Sequence, residues 1–189
     1  MGMLGRTELE RMGFASLGRD VQLSDRAAIH GAGRIALGDH ARIDDFCVLS
    51  AGEGGIAIGR HVHVAVFCSL IGAARIELED FAGLSARVSI YSSSDDYSGS
   101  ALTNPTVPAE FTRVAHAPVR LGRHVIVGAG SVLLPGVTLH EGAAVGALSL
   151  VSRDAEAFTV YSGVPARRIG PRSNALLELE QRFLASRRS

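Results

Sequence analysis

Aliphatic side chains return every sixth residue through most of this chain, and the positions between them are small, polar or glycine. The series runs Leu17, Leu23, Ile29; Leu37, Ile43, Leu49; Ile58, Val64, Leu70; Leu78, Leu84, Ile90; Leu121, Val127, Leu133; and Leu139, Val145, Val151. Within each triplet the spacing is six, and every extra residue falls after a third member. Such a beat is an internal repeat and outranks any local propensity. Six residues make one short strand and one tight turn, so three units close a triangular coil. Insertions confined to one corner keep successive coils in register. The pattern predicts an all-β chain folded as a parallel β-helix of about six coils, with residues 91–118 extruded from the fourth coil as one long loop.

Strand alternation turns the residue two before each aliphatic inward as well. Those positions hold Ala41, Cys47, Val62, Cys68, Ala82, Val88, Val125, Ser131, Val137, Ala143 and Ser149 among others, all small or β-branched, as a narrow triangular interior requires. Glycine follows the first aliphatic of four triplets (Gly18, Gly38, Gly59, Gly122), where a tight corner is expected to favour positive φ. A solenoid has two open ends that need capping. Thr7 and Glu10 have capping-box spacing, which predicts a helix over 7–13 within an N-terminal cap of residues 1–16. The β-helix then spans 17–153. In the tail, 154–189, Asn174 is expected to cap a helix running to about Ala185, with Leu176, Leu179 and Phe183 on one face and Arg182, Arg187 and Arg188 near its end.

Composition narrows the partners. The 189 residues carry 19 basic and 19 acidic side chains, so formal net charge is zero. No nucleic-acid footprint and no electrostatic pull toward a membrane surface is visible. No apolar run approaches the roughly 18 residues of a membrane span. Two cysteines, both at inward positions, read as buried thiols and not as a disulfide framework. A cytoplasmic location is the expectation.

Four phrases occur in order: Leu121-Gly122-Arg123-His124-Val125, Val127-Gly128-Ala129-Gly130-Ser131, Leu134-Pro135-Gly136-Val137 and Gly163-Val164-Pro165-Ala166-Arg167. Together they resemble the hexapeptide-repeat acyltransferases, the left-handed β-helix enzymes that include sugar O-acetyltransferases and nucleotide-sugar N-acyltransferases. The resemblance implies a homotrimer with an acyl-CoA, acetyl-CoA above all, in the groove between two prisms. It implies backbone contacts to pantetheine at Ala129 and Ala147. The adenosine end would lie beside Ser152 and Arg153, with Val164 and Pro165 against the adenine. Arg167, with Arg168, would meet the phosphates. Metal chemistry of the γ-carbonic anhydrase kind would need three converging histidines, and the spacing of His61, His63 and His124 does not match it.

The loop carries the remaining chemistry. In the sugar O-acetyltransferases a histidine near its start is the general base; here Asp95 stands there, with Asp96 adjacent. A hydroxyl acceptor benefits from a base with pKa near operating pH, whereas a carboxylate can hold an ammonium, orient the free amine and collect or relay its proton. The exchange favours an amine acceptor on a sugar, and the resemblance to the N-acyltransferases implies a nucleotide-sugar. Asp95 and Asp96 can equally build an Asx-turn. Glu110 is a second acidic candidate or a surface partner of Arg113. His116 is the one loop histidine able to restore hydroxyl acylation. Ser85, Tyr91 and Tyr97 are candidate substrate contacts. A non-catalytic β-helix scaffold is the alternative of another class.

Overall fold

A computed structural model describes residues 2–187; Arg188 lies outside them. Each aliphatic of the repeat stacks on its counterpart in the next coil. Leu17, Leu37, Ile58, Leu78, Leu121 and Leu139 are register partners on the first face. Leu23, Ile43, Val64, Leu84, Val127 and Val145 align on the second, and Ile29, Leu49, Leu70, Ile90, Leu133 and Val151 on the third. The pairing is parallel throughout these ladders, which is the left-handed β-helix implied above. A partial seventh turn follows: Leu139 bridges Ala155, and Val145 pairs with Tyr161. The sequence conceals it because the step from Val151 to Ala155 is four residues in place of six, and neither later member is a branched aliphatic.

Inside the prism, Leu49, Leu70, Ile90 and Leu133 are fully buried, as are the inward Cys47, Cys68, Val88 and Ser131. Both cysteines are free thiols. The first coil is less enclosed, with Leu17, Val21, Ala27 and Ile29 only half-buried. Its cover is a helix α1, Arg6–Arg11, whose Leu9 is buried against the coil. The helix starts one residue earlier than the capping-box spacing predicted. Gly5 is the N-cap, and its N–H donates to the Glu8 carboxylate at 2.6 Å, so Glu8 takes the role expected of Glu10.

The corner glycines need correction. Gly18, Gly38, Gly59 and Gly122 do not adopt positive φ; the left-handed residues are Asp20, His40, His61, Phe81 and His124, two positions further on. What excludes a side chain at the glycines is the next coil. A Cβ on Gly38 would lie 2.6 Å from the Gly59 carbonyl carbon, and one on Gly18 2.4 Å from Asp39 N. Left-handed backbone costs a non-glycine residue about 1–2 kcal/mol. The corner offsets this by stacking its rings: His40 on His61 at 4.7 Å, His61 on Phe81 at 5.0 Å and Phe81 on His124 at 5.1 Å. Aromatic pairs contribute about 0.5–1.5 kcal/mol each beyond their burial. One residue earlier, charge alternates coil by coil through Arg19, Asp39, Arg60, Asp80, Arg123 and Glu141. Arg19 meets Asp39 at 3.0 Å and Arg60 meets Asp80 at 2.7 Å.

This ladder is the seat of the C-terminal helix α2, Leu176–Ser186. Phe183 sets its edge against His61 and Phe81. Glu180 is buried and ion-paired with both Arg123 and His124, the latter at 2.8 Å. The helix begins two residues after Asn174, with Ala175 as N-cap. The docked face centres on Glu180 and Phe183, leaving Leu179 59% exposed. A polar anchor, invisible to a hydrophobic-face argument, rotated the helix.

Burial, with His40, Arg187 and Arg60 nearby, holds the His61 imidazole below its ordinary value. The unfolded chain therefore takes that proton first as pH falls. Stability from neutral His61 is complete above about pH 6.5 and is lost as pH drops through the folded value. Asp39, Asp44 and Asp80 are also held low, and their contribution is lost only below about pH 4. His61→Phe keeps the stack, since Phe81 already adopts the same backbone conformation (φ 62°). In thermal melts the variant should therefore lose the decline that sets in below about pH 6.5. An unchanged slope would remove His61 from the explanation.

Candidate functional site

The long loop leaves the prism through a short antiparallel neck, Ser93–Ser94 against Ala115–His116. At its base lies a depression of about 440 Å³ lined by Tyr91, Asp95, Tyr97, Val114, Val132 and Leu134 among others. The structure separates the two aspartates sharply. Asp96 accepts from the Ser98 N–H at 2.9 Å, the Ser100 N–H at 3.1 Å and the Ser100 hydroxyl at 2.8 Å. Those donors from Ser98 and Ser100 hold its carboxyl far below the usual carboxylate range. Asp96 builds the loop tip. Asp95 is exposed and lines the depression, and among the described residues no hydrogen bond engages its carboxylate.

The other loop candidates fall outside this depression. Glu110 sits exposed on a 3-10 turn, Ala109–Phe111. The expected pair with Arg113 does not form; Arg113 reaches the Ser100 hydroxyl at 3.4 Å instead. His116 is fixed by the neck. Ser93 Oγ accepts from the Ala73 N–H at 2.8 Å and lies 2.8 Å from His116 Nδ1. The ring is thus tied to the neck through Nδ1 and lies outside the depression that Asp95 lines.

Ser85 opens on a different face. It stands at the corner between the second and third faces and lines a depression of about 350 Å³ with His63, Gly83 and Ile126. Along the same corner Ser85 is followed by Gly128, Gly146 and Ser162, each one coil further. The connecting bonds run from Ser85 N to Val127 O at 2.9 Å, Gly128 N to Val145 O at 2.8 Å and Gly146 N to Tyr161 O at 2.8 Å. Ala129 and Ala147 flank this column, both exposed, with Leu148 N donating to Ala129 O at 2.8 Å. A Cβ on Gly128 would lie 2.4 Å from Ala147 N, so the edge stays a bare backbone track. Three coil steps of about 4.8 Å make it about 14 Å long.

The track ends at a hairpin, Thr159–Gly163 with Ala166–Pro171, whose tip is Val164 and Pro165, both exposed. Beside it Ser152, Arg153, Arg167 and Arg168 line a depression of about 230 Å³. Four of the residues expected at the coenzyme end thus converge. Arg167 is exposed, its guanidinium 3.1 Å from the Ala166 carbonyl, and Arg168 lies 3.7 Å from Glu156. The histidines weighed for zinc are otherwise employed: His61 in the ring ladder, His124 on Glu180 and His63 on Asp44 at 2.9 Å. Among the described residues no helix is long and apolar enough to cross a membrane.

No family model matches the chain. Whole-length relatives do. The dTDP-4-amino-4,6-dideoxy-D-glucose acyltransferase of Escherichia coli is 52% identical over 186 residues, 98% of this chain and 97% of that one. The chain belongs to this acyltransferase family. Its structure agrees with that of AntD, an N-acyltransferase from Bacillus cereus solved with dTDP and 3-hydroxybutyryl-CoA. The TM-score is 0.94 at 40% identity, over 99% of this chain and 98% of that one. Other structures of that Bacillus cereus protein carry replacements of a serine and of an aspartate ten positions further along, and one holds dTDP-4-amino-4,6-dideoxyglucose with coenzyme A. A maltose O-acetyltransferase from Clostridium difficile 630 matches at TM-score 0.58 and 21% identity, over 89% of this chain and 74% of that one, and shares the fold alone. The enzyme is an acyl-CoA-dependent N-acyltransferase, which sets aside both the scaffold and the hydroxyl-acylating alternatives.

Proposed function

We propose that this enzyme moves an acyl group from coenzyme A to the amino group of a dTDP-linked 4-amino-4,6-dideoxyglucose, in a site shared between two copies of a cytoplasmic homotrimer. A spacing carries the reading. The serine and aspartate replaced in the Bacillus cereus relative stand ten apart, and Ser85 and Asp95 are the one serine–aspartate pair of this chain with that separation. Asp95 holds the sugar ammonium and orients the amine, with Tyr91 and Tyr97 as walls. Ser85 lies at the near end of the corner track. The pantetheine arm runs past Ala129 and Ala147 to an adenosine end at Ser152, Arg153, Val164 and Pro165. Arg167 receives the phosphates as the freer guanidinium, since Arg168 has Glu156 beside it.

The same geometry supports the trimer. Within one copy Ser85 and Asp95 line different depressions on different faces. A head-to-tail contact that closes at three copies sets the loop of one against the Ser85 face of the next. Both surfaces carry uncovered apolar side chains: Tyr97 (93% exposed), Leu102 and Phe111 on the loop, Ile126 and Leu148 (74%) on the receiving side. A mass of one or two chains by light scattering would break the shared-site argument. Two buried free thiols and no disulfide fit a reducing compartment.

The deciding experiment is free-thiol release with the dTDP-amino sugar and with its 4-hydroxyl counterpart, using acetyl-CoA and 3-hydroxybutyryl-CoA as donors. Turnover is expected with the amine only. Turnover of the hydroxyl compound and none of the amine would overturn the acceptor assignment.

A further inference from the structure

The outward positions of the second face stack as Gln22, Arg42, His63, Gly83, Ile126 and Ala144. His63 is the anomaly in this column. Its Nε2 lies 2.9 Å from Asp44 Oδ2, and the other Asp44 oxygen takes Arg42 Nε at 2.7 Å. The Asp44 side chain is only 8% exposed, the His63 side chain 51%. Burial opposes the charge on Asp44, yet the bonds from Arg42 and His63 outweigh it and hold the carboxyl below its ordinary value. An ionised carboxylate accepts only, so the histidine presents Nε2–H to it and keeps its lone pair on Nδ1. Among the described residues no partner engages that nitrogen, and the ring borders the Ser85 depression.

Gly83 is the register partner of His63 on the next coil. Unlike the corner glycines, it has open space: a Cβ there would meet nothing within 4 Å, and its φ is not left-handed. Nothing in the chain's own packing asks for glycine at this strand position, where glycine weakens a strand. Bare backbone in a strand suits the close approach of a ligand.

We propose that His63, held by Asp44, is the proton acceptor for the sugar amine, in a subsite over Gly83 beside Ser85; this rests on the amino-sugar reading above. The acceptor arrives as an ammonium and gives one proton to His63 Nδ1. The free amine attacks the thioester carbonyl, the C–N bond forms and the C–S bond breaks. The second nitrogen proton leaves with the coenzyme sulfur as thiol, and His63 returns its proton to solvent. This gives the reaction an imidazole base with its lone pair open to the subsite, while Asp95 from the loop needs only to hold and aim the ammonium. The charged groups facing His63 are Asp44 and Arg42 from the preceding coil; Gly83 and Ile126 above it carry none.

His63→Gln keeps an amide toward Asp44 but cannot titrate. Measured with the dTDP-amino sugar and acyl-CoA, the parent kcat is expected to show an acid limb. The variant should lose about 10²-fold in kcat together with that limb, with coenzyme A affinity and thermal midpoint unchanged. Asp44→Asn, which removes the negative charge, should move the limb to lower pH. Gly83→Ala should raise the acceptor KM with no loss of thermal midpoint. A His63→Gln enzyme within about two-fold of the parent, its acid limb intact, would sink the proposal, as would a limb that Asp44→Asn leaves in place. A parent enzyme that does not acylate the amine at all would instead overturn the amino-sugar reading, so the two failures are distinct.

Discussion

Asp95→Ala is expected to lower kcat about 10- to 100-fold, as for the loss of a charge-assisted hydrogen bond to the ammonium, while coenzyme A binding and the thermal midpoint hold. The carboxylate lines the loop depression with no hydrogen bond engaging it among the described residues, so its removal leaves no donor stranded and costs the fold little. An ammonium held at hydrogen-bond distance loses both its orientation and its charge partner. Asp96→Ala has the opposite profile. It frees the Ser98 and Ser100 N–H groups and the Ser100 hydroxyl, so it should loosen the loop tip and show mainly as a weaker acceptor KM. His116→Ala should be mild, because its Nδ1 is tied to Ser93. Steady-state kinetics on the three variants test this together. Full activity in both aspartate variants with none in His116→Ala would remove Asp95 from the site.

The largest stability effect is expected at a glycine. Gly38→Ala brings a Cβ to 2.6 Å from the carbonyl carbon and 2.7 Å from the carbonyl oxygen of Gly59. Both are backbone atoms of the next coil, in a ladder with no slack at the corner. Overpacking of this kind costs about 1–3 kcal/mol, occasionally more. In a chain of this size each kcal/mol lowers the midpoint by roughly 2–4 °C. Gly38 does not have left-handed φ, so conformational strain at the residue itself is not the cause. Gly83→Ala is the control, since its Cβ meets nothing. Equal midpoints for Gly38→Ala and Gly83→Ala in thermal melts would contradict the close-approach account.

Much of the fold could be read before any coordinate. A strict six-residue beat leaves one closed solution, because only a triangular coil returns Leu23, Ile43 and Val64 to the same inward line. The insertion rule places the loop at 91–118, and the Val164-Pro165-Ala166-Arg167 phrase marks the hairpin beside the depression of Ser152 and Arg153. Local rules fail at the corners. Glycine favours positive φ there, yet His40, His61 and Phe81 take that backbone and stack. The alternation of Arg19, Asp39, Arg60 and Asp80 along one column of the coils marks a charged corner in the sequence itself.

Sequence alone determined what is periodic: the coils, their register, the buried lines and the family's phrases, since each depends on spacing along one chain. Tertiary structure decided what depends on neighbours from distant coils. It separated Asp95 from Asp96 by the company of Ser98 and Ser100, withdrew His116 through Ser93 and Ala73, and turned the C-terminal helix onto Glu180. It joined His63 to Asp44, nineteen residues apart in sequence and 2.9 Å apart in space. Hydrogen-bond partners and open space are properties of stacked coils, and no spacing rule within one coil encodes them.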